Sequence, residues 1–360
     1  MTTATTGIEE LVIPTTLGDP AAADFVEMVD VRNAIESAAI GSDALAVTAT
    51  ELLPLYQFRE HDPKRIFVAR IDGRIVGRAI LSWSIAPGSA SSWISAEVLP
   101  GLRGRGIGSA LFDHVEGLAR QSGRPIVQTD PVHTATIGGD RVPSPTGYGD
   151  VPAADPGVRF LIARGYRLEQ VGLISFLDLP VDPDVLAGTE RSAAQAAGTD
   201  YEIVTWTGRA PARWIGDMAT LKRRMSTDQP SAGLEVDEEP WDEARMVVRN
   251  EAVEAGGRTI LTVAALHVPS ENLVGFSELT VPRDGGGTVR QEDTLVLSEH
   301  RGHRLGMLLK IANLRRLAAL SPRSRMIYTF NAAENRHMLD VNEALGFRGV
   351  GLEGAWRNRD

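Results

Sequence analysis

The sequence predicts a mixed α/β protein built from two tandem copies of one unit. The chain has 360 residues, 43% of them apolar, which is enough for more than one hydrophobic core. Two glycine-rich turns, "LRGRGIGSALF" from Leu102 and "HRGHRLGMLLK" from His300, each follow an apolar strand and open a helix. Their leading arginines, Arg103 and Arg301, lie 198 residues apart.

A second pair of segments has the same offset. Gly77 in "RIVGRAILSW" and Gly275 in "NLVGFSELTV" are also 198 residues apart, which indicates an internal duplication. The helix-ending glycines Gly165 and Gly346 differ by only 181, so the first copy carries 17 extra residues. We assign this surplus to the Pro/Gly-rich "PVHTATIGGDRVPSPTGYGDVPAADPG" and expect an irregular loop there.

Each copy reads as strand, hairpin, strand, turn, helix, strand, helix and strand. Asp72-Gly73 is a two-residue hairpin signal between two β-runs, and the second copy has a similar hairpin with a longer tip. The helix after the first turn has an apolar face formed by Ile107, Leu111, Val115 and Leu118. We expect an N-terminal domain at residues 1–180, a Pro-, Ala- and Gly-rich linker at 181–199 and a C-terminal domain at 200–360.

The composition restricts the class of protein. The net charge of −10 argues against a nucleic-acid surface or an anionic-membrane surface. The absence of cysteine excludes disulfides and cysteine nucleophiles, and no histidines pair as HExxH, so we expect no metal. The N-terminus lacks a signal-peptide pattern, and no apolar run reaches about 18 residues. We therefore expect a cytoplasmic protein that has no membrane partner and is a monomer or a homodimer.

The two turns are typical of anion sites. A strand that runs into Arg-x-x-Gly-x-Gly and then a helix exposes backbone N–H groups at the helix N-terminus, where the dipole favours a pyrophosphate. A P-loop would need Gly-Lys-Ser/Thr, which neither turn has. A dinucleotide fingerprint would need a third glycine where Leu111 stands. The alternative of two plain tight turns is weakened by the duplication.

These residues resemble the GNAT superfamily of acyl-CoA-dependent N-acyltransferases, whose signature is Gln/Arg-x-x-Gly-x-Gly/Ala between the fourth strand and the third helix. The first copy matches it with Arg103, Gly106 and Gly108. The second copy matches it with Arg301 and Gly306, and Arg304 replaces the middle glycine. "YTFNAAENRHMLDVNEALGF" resembles the fifth strand and fourth helix of the family. The resemblance covers almost the whole chain as two tandem domains, a mycothiol-synthase-like layout.

The resemblance implies two mostly antiparallel sheets, each flanked by helices and splayed between the fourth and fifth strands. It implies acetyl-CoA as cosubstrate, with pantetheine pairing along Val98-Leu99 or Val296-Leu297. The implied pyrophosphate sites are Arg103, Gly104, Arg105, Gly106, Gly108 and Ser109, or Arg301, Gly302, His303, Arg304, Leu305, Gly306 and Met307. Asn331 and Asn335 are implied to bind the CoA arm or the substrate amide. Lys310, Arg315 and Arg316 are candidates for charge near the 3′-phosphate.

The reaction requires a proton acceptor for the amine near the strand before the turn. Glu292 and Asp293 are the candidates in the second copy, and Glu97 is the carboxylate of that strand in the first. Because successive strand residues face opposite ways, we expect only one of Glu292 and Asp293 to face the cleft. The position of the family's tyrosine acid holds Asn342 in one copy and Leu161 in the other, so Asn342 is only a hydrogen-bonding candidate.

The second copy is favoured as the catalytic one because it retains Asn331 and Asn335. The first copy is expected to bind acyl-CoA without turnover, or to act as a structural partner. Its long loop, with His133, Asp140 and Tyr148, is either a plain loop or a cover over a cleft. Arg304 can replace the glycine of the turn if its dihedrals are helical, and it is expected to add positive charge near the phosphates.

The predicted function is transfer of an acetyl group from acetyl-CoA to a primary amine of a small molecule. The alternatives are a non-catalytic acyl-CoA-binding or sensor protein and an acetyltransferase acting on protein amines. A nucleotide-dependent oxidoreductase is the residual alternative.

Overall fold

The computed structural model describes residues 7–58, 60–134 and 138–359. The elements of the N-terminal half are, in order, β1 (Gly7–Glu10), α1 (Ala22–Ile40), α2 (Ala49–Gln57), β2 (Lys64–Ile71), β3 (Arg74–Trp83), β4 (Ser91–Val98), α3 (Ile107–Gln121), β5 (Ile126–Thr129), β6 (Val132–His133), β7 (Arg141–Pro143), β8 (Asp150–Pro152), α4 (Pro156–Ala163) and β9 (Arg167–Asp178).

Helix α5 (Pro183–Ala197) connects this half to the C-terminal half. There the elements are β10 (Tyr201–Thr207), α6 (Ile215–Asp228), α7 (Glu243–Ala255), β11 (Arg258–His267), β12 (Asn272–Pro282), β13 (Val289–Val296), α8 (Leu305–Leu320), β14 (Met326–Ala332), α9 (Arg336–Leu345) and β15 (Arg348–Arg357).

The internal duplication is confirmed by the positions of the elements. Strands β3 and β4 and helix α3 begin at residues 74, 91 and 107, and β12, β13 and α8 begin 198 residues later at 272, 289 and 305. The predicted hairpin between β2 and β3 is also present. Asp72 and Gly73 both have positive φ, 49° and 81°, as a two-residue turn requires.

One mixed sheet runs through both halves. Among the described residues its strand order is β1-β2-β3-β4-β5-β15-β9-β14-β13-β12-β11-β10, with β6 paired to β15. The last strand of each half therefore lies beside the fifth strand of the other half, β15 next to β5 and β9 next to β14. Strands β9 and β15 pair antiparallel with each other at the centre. Each half thus depends on the other to complete its sheet.

Helices cover both faces of the sheet. The side chains of β2 point alternately to one face and the other and pack against helices on both. Phe67 and Ala69 pack with α3 and α4, whereas Ile66 and Val68 pack with α1 and α2. In the C-terminal half, Val263 packs toward α5 and α8, and Ala264 packs toward α6 and α7. Helices α2 and α7 also contact each other, and Arg258 Nη1 lies 2.5 Å from Glu51 Oε1. The four helices α1, α2, α6 and α7 share one face.

Each half contains a splay between its two parallel strands. β4 pairs with β5 only at Ser91–Ile126, Ser92–Val127 and Trp93–Gln128. β13 pairs with β14 only at Val289–Ile327 and Arg290–Tyr328. Beyond these pairs the strands separate, and each cleft opens between them.

The linker predicted at 181–199 contains a helix, α5, which packs against α8. The structure differs from the sequence-based expectations in two respects. The surplus loop is partly regular, since β7 and β8 form a small antiparallel sheet. Helices α1, α2, α6 and α7 were not predicted. In α1 the buried side chains do not follow a single stripe: Phe25, Met28, Val29 and Val31 are all buried, which hides the helical period.

No helix in the described part of the chain is long and apolar enough to span a bilayer.

Replacing Trp356 on β15 tests the exchange of last strands. Trp356 is 1% exposed and packs in the core of the N-terminal half. We expect Trp356→Ala to lower the free energy of unfolding by about 3–5 kcal/mol, measured by urea denaturation. Leu320→Ala, at a site that is 59% exposed, is the control and should change it by less than about 0.5 kcal/mol. Equal small effects would contradict the described packing of β15.

Candidate functional site

The turn of the first copy has the geometry of an anion site. Gly104 and Gly106 have φ of 74° and 83°, and α3 begins immediately afterwards at Ile107. A Cβ at either glycine would meet no atom within 4 Å, so backbone conformation, not space, requires glycine here. Residues 103–106 are exposed. The N–H groups of the first helical turn are therefore open to a ligand.

The turn of the second copy keeps the same backbone shape with an arginine in it. Gly302 has φ of 88°, and Arg304 has φ of 54° and ψ of 23°. Arg304 does not meet the condition of helical dihedrals, because the residue is left-handed like Gly106. Its Nη1 donates to Ser192 Oγ on α5 at 2.6 Å. The side chain thus ties the turn to α5.

The leading arginine of each turn braces the end of the preceding strand. Arg103 Nε donates to the carbonyl of Val98 at 3.1 Å, and Arg301 Nε donates to the carbonyl of Val296 at 3.0 Å. These guanidinium groups hold strand and turn together, so their contribution to a phosphate site is positional.

The ends of β4 and β13 offer fewer free backbone N–H groups than predicted. Leu99 N–H donates to the carbonyl of Val76 at 3.0 Å, and Leu297 N–H donates to the carbonyl of Val274 at 2.9 Å. By the alternation of an antiparallel ladder, the N–H groups of Val98 and Ala96 point toward the splay instead. Of each predicted pair, Val98-Leu99 and Val296-Leu297, only the valine faces the cleft.

The basic residues suggested for the 3′-phosphate have other partners. Lys310 is 3% exposed, and burial lowers its pKa to about 7. Arg315 lies 2.6 Å from Glu190 on α5. Arg316 donates to the carbonyls of Trp206 and Thr262, both at 2.8 Å. None of the three serves as a free cation above the turn.

A cavity of about 320 Å³ passes through the splay of the N-terminal half. Its walls come from β4, from the chain just after β5, from α1, α3 and α4, and from β14 and β15 of the C-terminal half. The lining residues include Arg32, Glu36, Arg78, Ser95, Ala96, Glu97, Phe112, Asp130, Phe160, Leu161, Tyr328, Phe330 and Glu353. The cavity connects the two faces of the sheet because it is lined from helices on both.

The mouth on the α3–α4 face is apolar. The Phe112 and Phe160 rings meet edge to face, with centroids 5.3 Å apart. Leu161, at the position of the family's tyrosine, lines the same part of the cavity. No side chain in this wall can donate a proton.

The mouth on the α1 face is acidic. Two of its carboxylates have arginine partners: Arg32 lies 2.6 Å from Glu36, and Arg78 lies 2.6 Å from Glu97. Asp130, just after β5, and Glu353, on β15, also line it. Neither has a basic partner within the described part of the chain.

The environment of these two carboxyl groups favours their neutral forms. Asp130 is exposed at the rim of the cavity, but desolvation by the surrounding protein, with a smaller contribution from Glu97, raises its pKa to about 6. Burial, followed by the negative charges of Asp130 and Glu36, raises the pKa of Glu353 well above its usual value. Both groups can still exchange protons with water in the cavity. Ser95 Oγ, which is buried in the same wall, lacks a hydrogen-bond partner.

The sequence did not identify Asp130 and Glu353 as site residues. Asp130 directly follows "IVQT" at the end of β5, a position where an acidic residue beside a splayed strand could have been noticed. Glu353 carries no such signal. It belongs to the last strand of the other half, so only the three-dimensional structure brings it to this cleft.

In the C-terminal cleft a β-bulge puts both predicted carboxylates on one face. The register of β12 and β13 shifts between Ser277 and Leu279, so Glu292 and Asp293 together lie opposite Glu278. Glu292 accepts a hydrogen bond from Thr280 at 2.8 Å, and Asp293 accepts one from Lys222 at 2.7 Å. The alternation of successive strand residues, from which only one was expected to point into the cleft, is interrupted here by the bulge.

Two cations, Lys222 and Arg249, lie among the three carboxylates of this cleft. Lys222, which is 2% exposed, also lies 2.5 Å from Glu278, and Arg249 lies 3.1 Å from Glu278. Although burial opposes ionisation, Arg249 and Lys222 lower the pKa of Glu278 to about 2. A separate void of about 10 Å³ lies beside Glu278, between α6, α7 and β11, whereas the Asp293 side chain is 37% exposed.

The asparagines of the second copy interact mainly with the protein itself. Asn342, which is 1% exposed, donates from Nδ2 to Asn331 Oδ1 at 2.8 Å. Asn335 caps α9 by accepting from the N–H of Met338 at 3.3 Å. Asn342 Oδ1 is buried and has no hydrogen-bond partner among the described residues.

The three loop residues of the first copy have different environments. His133 is fully buried, and its Nδ1 lies 3.0 Å from Asp155 Oδ1. Asp140 accepts a hydrogen bond from Ala153 through its backbone carbonyl, and Tyr148 is 46% exposed. His133 is thus part of the core beside β15. Within the described residues, no group of three or more His, Asp or Glu side chains is arranged to hold a metal.

The duplicated strand–turn–helix units and splayed strands define a tandem GNAT fold. The profile of the acetyltransferase (GNAT) family matches residues 35–136. A tandem GNAT protein from the clavulanic acid biosynthesis pathway is similar over 98% of both chains, with 23% identity and a TM-score of 0.71. The resemblance inferred from the sequence and the predicted fold class are confirmed.

Two further solved structures are similar to this chain. A GCN5-related N-acetyltransferase from Sphaerobacter thermophilus shares 14% identity over 98% of this chain and 95% of its own, with a TM-score of 0.61. A GCN5-related glucosamine N-acetyltransferase region of a fungal multi-domain GH3 β-N-acetylglucosaminidase shares 15% identity over 98% of this chain and 38% of its own, with a TM-score of 0.60. At these identities the similarity concerns the fold. No curated protein matches the sequence.

Replacing Arg304 by glycine tests what the irregular turn contributes. The left-handed conformation costs a non-glycine residue about 1–2 kcal/mol, and glycine relieves this cost. The substitution also removes the hydrogen bond from Arg304 to Ser192. We expect Arg304→Gly to leave CoA affinity within about tenfold, or roughly 1.4 kcal/mol, in calorimetric titration. Gly106→Ala is the matched variant in the other turn and should weaken binding. A larger loss in Arg304→Gly would mean that the guanidinium itself holds the ligand.

Proposed function

We propose that this protein transfers an acetyl group from acetyl-CoA to a primary amine of a small molecule, and that the N-terminal cleft carries out the reaction. The observation that supports this most is the cavity through the splay of β4 and β5. It joins an apolar mouth on the α3–α4 face to an acidic mouth on the α1 face. Such a passage lets a thioester and an amine approach each other from opposite sides of the sheet.

The acetyl-CoA side of the proposal rests on the turn and the strand edge. The N–H groups at the start of α3 suit the pyrophosphate, since a helix N-terminus favours anions. The N–H groups of Ala96 and Val98 face the splay and suit the pantetheine amides and the thioester oxygen. The apolar pair Phe112 and Phe160 excludes water from the arm.

The acceptor side supplies the proton acceptor. The amine enters as an ammonium ion, and Asp130 takes its proton, directly or through one water molecule. The free amine nitrogen then attacks the thioester carbon, and the C–S bond breaks as CoA leaves as a thiolate. The nitrogen loses its second proton to water, and water returns a proton to the thiolate, because no phenol stands at Leu161. Asp130 releases the first proton to solvent. A carboxyl group with a pKa of about 6 is ionised at neutral pH and binds a proton readily.

The C-terminal cleft has a different role in this proposal. Glu292, Asp293 and Asn342 stay predicted catalytic residues on sequence grounds, but Lys222 and Thr280 hold the two carboxylates. We propose that this half binds acyl-CoA weakly or not at all and completes the N-terminal half through β14 and β15. Its sequence-based preference as the reacting copy is therefore not adopted.

Turnover separates the two clefts. CoA release is followed with a thiol reagent against a panel of primary amines, for Asp130→Asn and for Asp293→Asn and Glu292→Gln. We expect Asp130→Asn to lower kcat/KM by about a hundredfold or more, and the other two to lower it by less than about threefold. The reverse pattern would assign the reaction to the C-terminal copy. Tight CoA binding without release for any amine would instead favour a non-catalytic acyl-CoA-binding protein.

The pH dependence tests Asp130 independently. Because the ionised carboxylate is the active form and desolvation raises its pKa to about 6, kcat/KM should fall as the pH drops through about 6. We expect this acidic limb in the native protein and in Asp293→Asn, and its loss in Asp130→Asn. An acidic limb that stays at the same pH in Asp130→Asn would assign it to another group.

A further inference from the structure

We propose that Glu353 makes the acidic mouth of the N-terminal cavity selective for acceptors that carry a second cationic group, such as small diamines. This inference rests on the proposed function in one respect, that the cavity is the acceptor site. It goes beyond it by naming the substrate class and the residue that selects it.

The first step is the balance of charge in the cavity wall. Four carboxyl groups line it, and two guanidinium groups pair with two of them. Asp130 and Glu353 are left over, and within the described residues neither has a cationic partner. One cationic group would balance Asp130, which is the proton acceptor of the reaction. A second cationic group on the acceptor would favour the ionised form of Glu353 and pair with it.

The second step is the environment of the unpaired carboxyl group. Glu353 is partly buried, lines the cavity and makes no hydrogen bond through its side chain with a described residue. A partly desolvated polar group without a protein partner favours a ligand that supplies one. Burial and the neighbouring carboxylates raise the pKa of Glu353. A cation bound beside it would reverse that effect and ionise it.

The third step is the size and surroundings of the site. A volume of about 320 Å³ corresponds to about ten water molecules, which is room for a small diamine. Tyr328 and Phe330 form an aromatic wall on this side, which suits both alkyl chains and cations. Ser95 Oγ offers a further unused hydrogen-bonding group.

The fourth step is that the arrangement exists in one cleft only. The 181-residue offset that relates β9 to β15 pairs Glu353 with Gly172, and these two residues are also direct neighbours across the β9–β15 ladder. A Cβ at Gly172 would lie 3.4 Å from Glu353 Oε2. The glycine therefore leaves space for the carboxylate and provides no equivalent of its own.

The test compares three compounds of matched length: 1,4-diaminobutane, butylamine and 4-aminobutanoate. We expect kcat/KM for 1,4-diaminobutane to exceed that for butylamine at least tenfold, and 4-aminobutanoate to be the poorest. In Glu353→Gln the ratio of diamine to monoamine should fall to below about threefold. Glu343→Gln, on the exposed side of α9, is the control and should keep the ratio of the native protein.

Calorimetric titration of the same compounds into the CoA-saturated protein separates the inference from the proposed function. If no amine accelerates CoA release, the proposed function fails, and tighter binding of the diamine that is lost in Glu353→Gln still supports the inference. Equal affinities and equal kcat/KM values for diamine and monoamine would overturn the inference and leave acetyl transfer intact. An unchanged ratio in Glu353→Gln would overturn the assignment to this residue.

Discussion

The antiparallel pairing of β9 with β15 is the constraint on which the rest of the molecule depends. Each of these strands closes the sheet of the half to which it does not belong, so neither half can bury its core alone. Trp356 illustrates this, since it lies on the last strand of the chain but is buried in the N-terminal core. The same exchange brings Glu353, Tyr328 and Phe330 to a cavity of the N-terminal half. Fold and candidate site are therefore consequences of one pairing.

Charge placement then distinguishes two clefts of the same origin. In the C-terminal cleft, Lys222 pairs with both Glu278 and Asp293, and Arg249 pairs with Glu278. In the N-terminal cleft, arginines satisfy two carboxylates and leave two facing open volume. Unbalanced charge in a desolvated site is costly in a folded protein, and persists where a ligand or a reaction uses it. The N-terminal half also combines a turn that has both glycines with an open cavity, which is consistent with this difference between the clefts.

The sequence predicted the parts of the fold that repeat or have local causes. The offset of 198 residues located both turns, the hairpins and helix α3. Turn glycines and periodic apolar residues determine local backbone structure, so a single segment is enough to predict it. It did not predict α1, which is buried on several sides, or the bulge at Glu292 and Asp293. A bulge depends on the register between two strands, which no single segment encodes. Asp130 was adjacent to a predicted strand, but Glu353 reached the cavity only through an exchange of strands between halves.

Gly172 and Glu353 occupy the crossing point of the approximate two-fold axis that relates the halves. In a homodimer of identical chains, both strands would carry the same residue at that crossing. Two glutamates would then repel each other, and two glycines would leave no carboxylate at all. Joining the two copies in one polypeptide frees each side of the axis to mutate alone. Gene fusion thus permits an asymmetric site at a place where a symmetric assembly has no means to form one.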